Sequence, residues 1–89
     1  MLFMVTYAIT QEKLRETQIQ FARQEENWYG MELVGRWHQP SHTGVLILRT
    51  DDAGALAKWA QQWNAMIDLE IFPVNDDAGV REVLEVTLA

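Results

Sequence analysis

Apolar and polar positions along this chain change period several times, and each period predicts an element. Residues 2–9 put Leu2, Met4, Thr6 and Ala8 on one side and Phe3, Val5, Tyr7 and Ile9 on the other. Neither side carries a charge, which predicts a first strand covered on both faces. Thr10 offers a capping oxygen, and residues 11–26 are rich in straight-chain helix formers, with Leu14, Phe21 and Ala22 on one helical face. After Trp28, Tyr29 and Gly30, a second strand sets Met31, Leu33, Gly35 and Trp37 against Glu32, Val34, Arg36 and His38. One face of it is apolar and the other polar. Pro40 and Ser41 turn the chain into residues 45–48, again apolar on both faces. Asp51 and Asp52 then start a helix in which Leu56, Trp59, Ala60 and Trp63 form one stripe. Ile67, Leu69 and Ile71 alternate with Asp68, Glu70 and Phe72 until Pro73, which is expected to end the fourth strand. Asp76 and Asp77 cap a last helix lined by Val80, Val83, Leu84, Thr87 and Leu88.

Two strands apolar on both faces and two apolar on one predict a single four-stranded sheet with the first and third strands central, in the order 4-1-3-2. Right-handed crossovers place both main helices on one face. The expected class is therefore α+β, a ferredoxin-like βαββαβ domain with an antiparallel sheet, spanning residues 1–89, with a short helical appendage over residues 76–89. The other face is left open with an apolar centre, and a contiguous apolar patch of that kind normally marks an interface. A homodimer through the open sheet face is the expectation.

Composition narrows the partners. Thirteen acidic against seven basic side chains give a net charge of -6, which disfavours nucleic acid and anionic membrane surfaces. With no cysteine, disulfides, thiolate nucleophiles and cysteine metal sites are excluded, and a cytoplasmic setting fits. No apolar run approaches the roughly 20 residues that a spanning helix needs. No phosphate-binding glycine loop, nucleophile elbow or zinc-protease helix occurs, so no cofactor is expected.

On the assigned alternation Glu32, Arg36 and His38 face the open side, as do Asp68 and Glu70. His38 is the candidate acid or base, since its ordinary pKa lies near neutrality, although a lone histidine beside a hairpin turn is more often a structural hydrogen-bonding residue. Arg36 can hold a ligand carboxylate or pair with Glu32. Asp68 and Glu70 serve equally as ligand contacts or as charges that keep an edge strand from pairing. The two lie about 14 Å from Arg36 and His38 across the sheet, so a shared pocket would need a second copy. Pro40 between His38 and His42 excludes the helix on which that spacing would make a metal site. Trp59 and Trp63 read as core.

Met1, Leu2, Phe3 and Met4, then Gly35, Arg36, Trp37 and His38, then Asp52, Trp59 and Trp63, and finally Pro73 and Val74 together resemble the domain-of-unknown-function family numbered 3303. Those are small bacterial proteins, similar to the dimeric α/β-barrel superfamily. The resemblance implies protomers pairing sheet to sheet into a barrel, and it brings no catalytic pattern that maps onto this chain. Three readings follow: a dimer binding a small organic molecule between its sheets, with Arg36, His38, Asp68 and Glu70 as contacts; a cofactor-independent enzyme of monooxygenase or isomerase type using His38; or a purely structural dimer.

Overall fold

The first strand, β1 (Leu2–Ile9), takes the central place its charge-free pattern requires. In the computed structural model, which describes residues 1–89, it pairs antiparallel with β3 (Thr43–Arg49) on one side and with β4 (Ile67–Val74) on the other. The strand β2 (Glu32–His38) pairs antiparallel with β3, so the sheet runs β2-β3-β1-β4, the expected order. Helices α1 (Leu14–Arg23) and α2 (Ala53–Gln61) complete the ferredoxin-like unit, and α3 (Asp77–Thr87) follows β4. The sheet is open and does not close into a barrel. No helix is long and apolar enough to cross a membrane.

The register assigns every strand residue to a face. Val5 is opposite Leu46 and Ile71, and Val5, Leu46 and Leu48 are buried together with Leu56, Trp59 and Trp63. The helices cover that face. Asp52 caps α2 by accepting hydrogen bonds from the backbone N–H groups of Gly54 and Ala55, and Asp76 accepts one from Gly79. The stripe read in α2 is the core of the molecule.

Four local expectations need correction. Thr10 is extended and makes no side-chain cap; the chain enters α1 through a 3-10 turn over Gln11–Lys13. Helix α1 ends at Arg23 rather than Glu26, because Glu26 turns inward to three hydrogen-bond donors, a tertiary gain that overrides helix propensity. Pro73 lies inside β4, opposite Phe3; β4 is an edge strand, where a missing N–H leaves no ladder bond unmade.

The fourth correction moves the candidate site. Leu33 is opposite Leu48, but Gly35 is opposite Ile47, so Val34 is an extra residue, a β-bulge. Beyond it the faces exchange. Arg36 and His38, opposite Leu46 and Gly44, stand on the helix face, whereas Gly35 and Trp37 stand on the open face. Trp37 is 60% exposed there, its ring lying over Gly35 where any Cβ would strike it.

Helix α3 buries none of its residues; Val83 and Leu84 are 50% and 42% exposed. The chain measures 53 × 27 × 17 Å.

Candidate ligand cavity

Three residues from three strands make a row across the helix face. Tyr7 on β1 and His38 on β2 are both paired with Gly44 on β3, which lies between them. A Cβ at Gly44 would collide with the Tyr7 ring, so the glycine leaves the space in which that ring crosses β3. The phenol thereby reaches His38, with Tyr7 Oη and His38 Nδ1 2.5 Å apart. The edge of Phe21 from α1 closes on the imidazole, with ring centroids 5.3 Å apart. Burial raises the Tyr7 phenol above its ordinary pKa, partly opposed by the positive charge of Arg36. When the phenol donates to Nδ1, the proton of a neutral imidazole stands on Nε2.

Arg36 is fixed from three sides. Its guanidinium lies between the rings of Phe21 and Trp28, 4.9 and 5.2 Å from their centroids. One terminal nitrogen donates to both oxygens of Glu26, at 2.8 and 3.2 Å. Glu26 also accepts from the indole N–H of Trp59 at 2.7 Å and of Trp63 at 3.1 Å. Trp28 stacks on Trp59 with an interplanar angle of 13°. The carboxylate and guanidinium are only 10% and 18% exposed, so this is a buried ion pair whose remaining acceptor capacity is met by the two indoles. The tryptophans read as core are core, and they also orient a charge.

Between the sheet and α1 these groups border a cavity of about 370 Å³. Its walls are apolar: Ile9, Ile67 and Leu69 from the sheet, and Leu14 and Phe21 from α1. Tyr7, Arg36 and His38 reach it from the strands, Gln18 from α1, and Gln39 and His42 from the turn between β2 and β3. His42 holds that turn with φ 69°, and its carbonyl accepts from the N–H of Ile9. No group of three or more histidine, aspartate or glutamate side chains comes together.

The structure therefore divides the sequence-predicted residues. Arg36 and His38 share the cavity, which lies beside the helices and not on the open face. Asp68 and Glu70 are opposite Ala8 and Thr6 and stand on the other side of the sheet, away from both. Tyr7, Glu26, Phe21 and His42 belong to the cavity or its support; the periodic pattern places Tyr7 and Phe21 on apolar faces without marking them for a site, and it marks Glu26 and His42 not at all. Only Gly44, a glycine in an apolar strand, hints that something crosses there.

Compared with known families, residues 1–88 match the family described as Domain of unknown function (DUF3303). The chain belongs to that family. No curated protein matches it.

Proposed function

For a member of a family whose function is undescribed, we propose that this chain binds a small, mainly apolar organic molecule in the cavity between its sheet and α1. The cavity itself carries the reading. Its volume of about 370 Å³ falls within the range of small-molecule sites, roughly 300–1,000 Å³. Apolar walls with a few converging polar groups, here Tyr7, Arg36 and His38, are what such sites combine. A cavity lined by Arg36 and His38 also favours ligand binding over a purely structural pairing of subunits.

Because Trp59 and Trp63 border the cavity, tryptophan fluorescence reports its occupancy. Titration with a panel of small apolar acids, amides and alcohols should give saturable quenching, and Leu69→Trp, which fills the cavity, should abolish it while circular dichroism stays native. Quenching that never saturates, or that survives the filling, removes the proposal.

A second reading has one observation in its favour, the hydrogen bond between Tyr7 and His38. In a cofactor-independent enzyme His38 would exchange a proton with substrate at Nε2, and Tyr7 would hold the ring. His38→Gln separates the two readings: binding survives in both, and turnover is lost only in the second.

The open face supports pairing with a second copy. Met4, Val45, Ile47 and Phe72 make its apolar part, with Glu32, Arg49, Asp68 and Glu70 as charges. The chain exposes 6345 Å², against about 5,350 Å² for a compact monomer of its mass. The excess of about 1,000 Å² per protomer is close to the ~800 Å² that each partner contributes to an ordinary stable interface.

A further inference from the structure

We infer that the occupant of the cavity is a monoanion, a carboxylate on an apolar body, whose head meets the free edge of Arg36. The inference rests on the cavity being the ligand site and adds the chemical class.

The first ground is the sign of the lining. The chain carries 13 acidic side chains, yet none of the 16 residues lining the cavity is aspartate or glutamate, while Arg36, His38 and His42 are among them. A protein of net charge -6 thus surrounds one cavity with basic and neutral groups only. Gln18 and Gln39 add amide hydrogens to the same walls.

The second ground is the unused half of a guanidinium. Both hydrogen bonds from Arg36 to Glu26 leave from the same terminal nitrogen. The other terminal nitrogen and Nε make no hydrogen bond within the protein, although the side chain is only 18% exposed and lines the cavity. The rings of Phe21 and Trp28, with centroids 4.9 and 5.2 Å from the guanidinium carbon, restrict its movement. An edge of two donors held in one plane matches the two oxygens of a carboxylate.

Glu26 sets the limit on charge. It is not part of the lining; it lies behind Arg36, and the indole N–H groups of Trp59 and Trp63 share its negative charge. Part of the arginine's field is thereby offset, which suits one negative charge and disfavours phosphate esters and dicarboxylates. The walls of Leu14, Phe21, Ile67 and Leu69 ask for an aliphatic or aromatic body behind that head.

The test compares naphthoate with naphthamide, an uncharged analogue of nearly the same shape, by tryptophan fluorescence on the full chain. Naphthoate should bind at least about tenfold more tightly, the worth of a charge-assisted hydrogen-bonded pair. In the double variant Glu26→Gln with Arg36→Gln, which removes both charges together and keeps an acceptor for the indoles, that preference should collapse, the two probes then binding with similar affinity. Equal affinity of the two probes for the wild-type chain overturns the anion inference and leaves the cavity reading standing. A preference that persists in the double variant also overturns it, since the charge would then be recognised elsewhere. If neither probe binds, the cavity reading falls as well.

Discussion

Glu26 sits in a segment without secondary structure, yet it joins three parts of the molecule: Arg36 on β2, Trp59 on α2 and Trp63 just beyond α2. Removing it strands a buried guanidinium and leaves two indole N–H groups without an acceptor. Glu26→Ala should therefore cost about 3 kcal/mol of stability, read as a lowered urea midpoint with an unchanged slope. Glu26→Gln, which keeps an acceptor, should cost less. Tyr7 supplies a pH dependence. Its phenol is held above the ordinary value of 10.0 by burial, so the folded chain keeps that proton after the unfolded chain has lost it. Stability due to Tyr7 is complete below pH 10.0 and declines as the pH rises through the folded value. Tyr7→Phe should flatten that decline in alkaline denaturation, and an unchanged alkaline limb would contradict the assignment.

At the scale of elements, β1, β3, α2 and the helix-facing side of β4 are legible from periodicity alone, because one uninterrupted period fixes which side chains meet the core. Strand β2 is not. Met31 to His38 reads as a single alternation, and the added residue hardly disturbs it. Its marks are Val34, apolar where a polar residue is due, and Gly35, a residue common at bulges. That slip hides the candidate site, since it sends Arg36 and His38 to the side opposite the one their pattern implies. Tyr7 and Glu26 escape for another reason: their roles come from contacts with residues 31 and 10 to 37 positions away, and no local pattern encodes those. The bulge gives a prediction of its own. Deleting Val34 leaves Gly35, Arg36 and His38 opposite their present partners in a regular strand, so the variant should fold with a loss under about 2 kcal/mol. Inserting one alanine after Val34 should turn Arg36 outward and remove its contact with Glu26. Amide and indole N–H resonances in the NMR spectrum distinguish the outcomes: Trp59 and Trp63 indole signals near their native positions in the deletion, displaced in the insertion.

For the whole molecule, the surplus of exposed surface and the unburied α3 make oligomeric state the measurement of first interest. Light scattering at micromolar concentration should give twice the chain mass of 10.3 kDa. Trp37→Glu, on the open face, should restore the mass of one chain, and a monomeric wild-type chain would remove the proposed pairing. Trp37 and His38 are neighbours in sequence and stand on opposite sides of the sheet. On the proposed reading, a descendant of this chain that altered residue 37 would change its company without touching the cavity, and one that altered residue 38 would change the cavity without touching the open face. The sheet would then let the two proposed traits be inherited separately, although a single peptide bond joins the two residues.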